Sequence, residues 1–144
     1  MKRPLRPLVL IVAMTGCLVS LPASSHGDVV PHAVDASSLK QLGEEWREEN
    51  PYRGDKAAET LGDSAYNQNC ARCHGLEAIS GGVAPDLRKL DIDPDTDQYY
   101  LNSVRHGKVR DGRVYMPPFE GILSQEAMWA IKAYLETRRA SLNE

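Results

Sequence analysis

The stretch that most constrains this chain is CARCH, Cys70 to His74. Two cysteines three positions apart are followed at once by a histidine, in a 144-residue chain with three cysteines in all. A disulfide between positions i and i+3 would close a tight local ring and staple nothing distant. A thioredoxin-like redox pair needs a βαβ setting, and no strand pattern surrounds the motif. A zinc site needs a fourth ligand, often from a second cysteine pair, and the sequence offers none. The remaining reading is C-x-x-C-H, the attachment signature of c-type haem. Each thiol can add across a haem vinyl group to make a thioether. A spacing of three puts both sulfurs on one helical turn, and His74 then projects its imidazole toward the iron as proximal ligand.

A covalent haem also answers a shortage. Hydrophobic residues make up 42% of the chain and charged residues 26%, but aromatics are only 6% and Gly plus Pro reach 20 residues. The side chains alone build a modest core, and one large apolar disc would supply the rest. The N-terminus is not part of that core. Lys2, Arg3 and Arg6 precede the apolar run Leu8 to Leu21, and small residues follow in PASSHG. That is the plan of a secretory signal peptide, with cleavage expected near Ser25 or Gly27. The apolar run is shorter than the roughly 20 residues a membrane span requires. Cys17, in MTGC, resembles a lipoprotein lipidation site, although Met14 departs from the usual leucine; the alternative is a cysteine discarded with the signal. Loss of residues 1–25 removes three basic residues and no acidic one, taking the net charge from −3 to −6. So acidic a chain is a poor ligand for nucleic acid or anionic lipid.

Residues 26–36 read as an irregular lead-in. Ser37 or Ser38 caps an expected short helix carrying Leu39, Leu42 and Trp46 at helical spacing, ended by Pro51. A second helix is expected from about Asp55 into the cysteines, with Ala58, Leu61, Ala65 and Tyr66 on one side. Gly62 inside it costs about 1 kcal/mol relative to alanine, which points to a helix passing close by. Residues 75–97 form a Gly/Pro loop. A short helix follows from about Thr96 to His106, with Gly107 at its C-terminal stop. KVRDGRVYMPPFEG reads as another loop. The clearest helix begins after Ser124, with Ala127, Ala130, Ile131, Tyr134 and Leu135 as its core stripe. No segment alternates convincingly as a strand, so the expected class is all-α with long loops.

His74 leaves one axial position of the iron to another residue. Met116, Met128, His106, His26 and His32 are the candidates outside the motif. Met128 stands beside Trp129 in the last helix, where packing explains it. His106 sits at a helix C-terminus, which suits a partly charged imidazole. His26 and His32 lie in the lead-in. Met116, in YMPPF, is about forty residues beyond His74, enough chain to round the haem edge. Pro117 and Pro118 stiffen its loop. Met116 is the preferred sixth ligand.

With these residues in view the chain resembles a class I cytochrome c. CARCH matches that family's haem anchor, Met116 its distal ligand, and APDL its proline loop. The resemblance implies that the Pro85 carbonyl accepts the Nδ1 hydrogen of His74. It also implies crossed N- and C-terminal helices, with Gly62 and Tyr66 matching the first and Trp129 or Tyr134 the second. It covers about residues 55–138. The implied organisation is a signal peptide over 1–25, an N-terminal extension with a short helix over 26–54, and a single-haem cytochrome c domain over 55–144. The site residues are Cys70, Cys73, His74, Met116 and Pro85, around one covalent haem c. The expected docking rim is Gly75, Gly81, Gly82, Val83 and Ala84 with Pro117, Pro118 and Phe119, and Arg72, Lys108 and Arg110 are charged neighbours. A narrower likeness, carried by NPYRGDKAAETLG, YNQNCARCHGLEAISGGVAPDLRKL and RHGKVRDGRVYMPPFEGILSQEAMWAIKAYLETR, is to soluble periplasmic cytochromes c of PQQ-dependent alcohol dehydrogenase systems. It implies a periplasmic one-electron carrier, not an enzyme on its own. Its donor would be a quinoprotein alcohol dehydrogenase and its acceptor a terminal oxidase or another cytochrome. The alternatives are a gas-binding haem sensor, a peroxidase-like catalyst, or a tethered subunit of a respiratory complex.

Overall fold

The computed structural model of the chain describes residues 30–140. The expected signal peptide, Cys17 and His26 lie outside the described residues. The described chain forms helix α1 (Lys56–Asn69), the one-turn helix α2 (Ala71–His74), helix α3 (Pro94–His106), strands β1 (Lys108–Arg110) and β2 (Arg113–Met116), and helix α4 (Gln125–Ala140). Single 3-10 turns at Leu76–Ala78 and Leu87–Lys89 punctuate the loop between α2 and α3.

Local chemistry sets the helix ends. Asp55 caps α1 by accepting from the N–H groups of Ala57 and Ala58. α3 starts two residues before the expected Thr96, because Asp93 accepts from Thr96 N–H at 2.8 Å and Pro94 is preshaped for the first helical position. Gly107, at φ 70°, closes α3 by donating to Ser103. Ser124 Oγ accepts from Ala127 N–H at the start of α4.

α1 and α4 make the most extensive contact between elements. Gly62 is buried there, and a Cβ on it would run into the Ala130 carbonyl. The Tyr66 and Tyr134 rings meet nearby, 5.3 Å apart. The core joins Ala58, Ala65 and Tyr66 of α1 to Tyr100, Leu101 and Val104 of α3 and to Trp129, Ile131 and Leu135 of α4. α4 is buried nearly all round, Met128 and Lys132 included, and not only on the expected stripe.

Two expectations need correction. The helix expected within 37–50 is not formed. Gly43 sits at φ 84°, outside any helix, and the N–H groups of Leu42, Arg47 and Asn50 bond instead to the side chains of Glu126, Gln125 and Asp97. Leu39 and Leu42 are still buried, as parts of an irregular strap lying on the domain. The class is also not purely α. The loop expected over 108–116 is an antiparallel hairpin turned by Asp111 and Gly112, both at positive φ. Asp-Gly is the favoured pair for a two-residue hairpin turn.

The strap is tied at its other end by buried charges. Asp97 is fully buried and lies 2.9 Å from Lys132 Nζ and 2.6 Å from Arg53. Glu136 pairs with the same two cations, and Asn50 donates to both carboxylates.

Candidate functional site

A cavity of about 890 Å³ opens beside α2. This lies within the usual size range of small-molecule and cofactor sites, about 300–1,000 Å³. Cys70, Cys73 and His74 line it from α2 and its cap, Ala84 and Pro85 from the following loop, and Met116, Pro117 and Phe119 from the hairpin's exit. Tyr99, Tyr100, Ser103 and Val104 of α3 and Ile131 and Leu135 of α4 also face it. The five residues expected to form the site therefore share one cavity.

The local folding of α2 sets the motif's geometry. Cys70 N–H bonds to Tyr66, and Cys73 and His74 both bond back to the Cys70 carbonyl. That turn holds both sulfurs and the imidazole on one short element. Both thiols are free. Burial, and then the neighbouring Cys73 sulfur, push the Cys70 thiol up to about 12, the mark of an apolar wall. Tyr66 hydroxyl donates to the Gly75 carbonyl at 2.7 Å, which fixes the chain just past His74.

His74 Nδ1 lies 2.9 Å from the Pro85 carbonyl. A carbonyl only accepts, so Nδ1 carries the hydrogen and Nε2 keeps its lone pair for a metal. Tyr100 hydroxyl donates to the Met128 carbonyl at 2.8 Å. Burial drives its ionisation well above the ordinary tyrosine range, so it stays a neutral part of the wall.

The other candidate ligands lie elsewhere. Met128 is fully buried and does not line the cavity. His106 is exposed, with Nδ1 at 3.2 Å from the Asn102 carbonyl and Nε2 at 3.5 Å from Glu120. His32 is exposed and its backbone N–H bonds to Asn69. Of the expected rim, Ala84, Pro117 and Phe119 reach the cavity; Phe119 is only 3% exposed and belongs to the core. Gly81, Gly82 and Val83 are exposed and do not line it. Lys108 and Arg110 do line it, while Arg72 does not.

The sequence reading missed the walls. Tyr99, Val109 and Tyr115 line the cavity with 59%, 66% and 63% of their surface exposed. Lys108 stands over the Tyr99 ring and Arg110 over Tyr115. The available signal was the Asp-Gly turn, which would have placed Val109 and Tyr115 on a hairpin.

The residues present suit a covalent haem. Two free thiols, an imidazole with a free Nε2 and a thioether sulfur converge on a space with apolar and aromatic walls. Among the described residues no group of three or more His, Cys, Asp or Glu gathers as a metal cage. Also among them, no helix is long and apolar enough to cross a membrane.

Comparison with known proteins agrees. Residues 57–135 match the family described as cytochrome c oxidase, cbb3-type, subunit III. The chain is 52% identical over 131 residues to cytochrome c550 of Pseudomonas aeruginosa, covering 88% of this chain and 90% of that one. It is 39% identical over 90 residues to quinohemoprotein alcohol dehydrogenase ADH-IIG of Pseudomonas putida, covering 62% of this chain and 12% of that protein. The solved structure of quinohemoprotein alcohol dehydrogenase ADHIIG from Pseudomonas putida aligns with a TM-score of 0.54 at 34% identity, over 73% of this chain and 15% of that one. The chain therefore belongs to the cytochrome c family as a class I c-type member, and its cofactor is a covalently attached haem c.

Proposed function

We propose that this chain is a periplasmic one-electron carrier with His/Met ligation, exported by residues 1–25. Family membership supports the electron-carrier role. The observation that carries the ligand assignment is the shared cavity, with His74 oriented by Pro85 and Met116, among the described residues, as the one methionine lining it. Cys70 and Cys73 hold the haem through thioethers. His74 would hold the iron through Nε2 while its Nδ1–H donates to the Pro85 carbonyl, which would raise the basicity of the ligand. Met116 would be the second protein ligand, and its thioether would favour the reduced metal and a higher potential than two imidazoles. When bound, the haem supplies one reversible electron at its iron. Tyr100, Val104, Ile131 and Leu135 keep water away. With His74 and Met116 both holding the iron, substrate would have no open site. The near contact of Gly62 with Ala130 supports a crossing of α1 and α4.

The donor we infer is a PQQ-dependent alcohol dehydrogenase. Support comes from the likeness to a portion of a quinohemoprotein alcohol dehydrogenase. A free chain of this kind can take electrons from a quinoprotein and pass them to a terminal oxidase or another cytochrome. The match to an oxidase subunit family favours a second reading, a tethered subunit of a respiratory complex. The mass of the mature N-terminus separates the two, since a lipid on Cys17 would appear there.

Stopped-flow mixing of the oxidised protein with purified quinoprotein alcohol dehydrogenase and ethanol tests the donor. Fast, saturable reduction is expected; reduction no faster than with ethanol alone rejects it. Met116→Ala tests the ligand. The weak visible absorption band of the oxidised protein that reports an iron–methionine bond should vanish. The potential should fall on the order of 0.1 V, within the roughly 0.8 V that axial ligands span. An unchanged band and potential would remove Met116 from the iron. Rapid carbon monoxide binding by the reduced wild type would instead favour a gas-binding sensor.

A further inference from the structure

The hairpin's exit is hard to hold in place. Met116 is followed by Pro117 and Pro118, neither of which has an N–H to donate. The first donors after Met116 are Phe119 N–H, which bonds to Val104 at 3.0 Å, and Glu120 N–H, which bonds to Arg105 at 3.3 Å. The Met116 segment is thus moored to the last turn of α3, two residues on either side of the same joint.

The side chains at that joint repeat the connection. Arg105 donates to Glu120 with two nitrogens, Nε at 3.1 Å and a terminal nitrogen at 2.9 Å. This paired geometry fixes direction as well as distance. The Arg105 hydrogen bonds hold the Glu120 carboxyl below the usual carboxylate range, so it is charged near neutral pH. The central carbon of the Arg105 guanidinium lies over the Trp46 ring, 4.0 Å from its centre. Trp46 belongs to the strap, outside the segment that matches the family. The strap is itself fixed on both sides of Trp46. Gln125 donates to the carbonyls of Gly43 and Glu45 and accepts from Arg47, and Glu126 accepts from Leu42.

We propose that Trp46 and Arg105 are positioning residues for the Met116 ligand. Trp46 stacks on Arg105, Arg105 clamps Glu120, and Glu120 anchors the loop that closes the sulfur side of the haem site. The N-terminal strap thereby sets how easily an outside ligand displaces the methionine. This inference rests on Met116 being the axial ligand.

The test is the affinity of the oxidised, haem-loaded full-length mature protein for imidazole, read from the loss of the absorption band that reports the iron–methionine bond. Trp46→Leu keeps apolar volume but removes the aromatic face. It should raise imidazole affinity about threefold to thirtyfold, the span that cation–π contacts cover. Trp46→Phe keeps an aromatic face and should stay within about threefold of wild type. Arg105→Lys, which loses the planar two-nitrogen grip, should shift the same way as Trp46→Leu. Tyr52→Phe serves as the control. It deletes the Tyr52 hydroxyl bond to the Lys40 carbonyl, elsewhere in the strap, and should leave imidazole affinity unchanged. Equal affinities for wild type and Trp46→Leu overturn the proposal, as does an equal rise in Tyr52→Phe, which would mean general loosening. A wild type with no such band overturns the Met116 assignment, and this inference with it.

Discussion

At Glu126 two effects oppose each other inside one side chain. Burial alone would push its carboxyl up, but the Leu42 N–H, its own N–H and the Ser124 hydroxyl all stabilise the charged form and win, so it sits below the usual glutamate range. The position suits an anion, because it lies in the first turn of α4, at the positive end of the helix dipole. The consequence for stability has a definite sign. A carboxyl lowered by folding stabilises the native state above its unfolded value, about 4.3, and loses that contribution as pH falls through the lower folded value. Glu126→Gln keeps an oxygen for Leu42 and cannot titrate. Its urea midpoint should therefore fall less than that of wild type between pH 6 and pH 3.5. Parallel loss in both proteins would show that Glu126 is not the acid-sensitive tie between strap and α4. His74 shows the same economy of means: one bond to Pro85 decides which nitrogen remains free.

Among elements, the contact of α1 with α4 has the least room to adjust. Gly62 to alanine would normally favour a helix by about 1 kcal/mol. Here the new Cβ meets the Ala130 carbonyl, and backbone cannot swing aside as a long side chain can. Overpacking of that kind costs about 1–3 kcal/mol, enough to cancel the propensity gain and more. Gly62→Ala should lower the unfolding free energy in urea, and a gain would mean that the helices do not meet there. Gly62 was legible in the sequence because a glycine inside a helical stripe needs a reason. The helices were legible too, since Asp55, Gly107 and Ser124 carry end signals that act within a few residues. The cysteine–histidine motif was readable because its chemistry is local, and the placing of Met116 at the same cavity because its loop is stiff. The strap was not. Leu39, Leu42 and Trp46 have helical spacing, yet their apolar surfaces are satisfied by the domain, and the N–H groups of Leu42, Arg47 and Asn50 by side chains more than forty residues away. The hairpin escaped because its strands are short and exposed, leaving no alternation of buried and open positions to read.

For the whole molecule, the strap and the domain are joined through charges that the sequence could not have paired. Lys132 looks like a solvent residue in helix α4, but it is 1% exposed. Its Nζ lies 2.9 Å from both Asp97 and Glu136, and Arg53 reaches the same two carboxylates from the foot of the strap. Two anions and two cations balance there: Lys132, Asp97 and Glu136 are buried, and Arg53 closes the group from the solvent side. Such a group need not add much stability compared with an apolar core, but removing one member is costly because its partners stay buried and charged. Lys132→Ala would leave Asp97, which is 0% exposed, with Arg53 as its one remaining ion-pair partner. The expected loss is about 3–5 kcal/mol, seen as a lower urea midpoint of the haem-loaded protein. The haem itself should stay attached, because its bonds to Cys70 and Cys73 do not depend on this network. Limited proteolysis gives the second readout: cuts should appear first between residues 40 and 54, where the strap loses its anchor. A loss below about 1 kcal/mol with no new cleavage there would mean that Lys132 is shielded without holding anything, and that the contacts of Gln125 and Glu126 alone keep the strap in place.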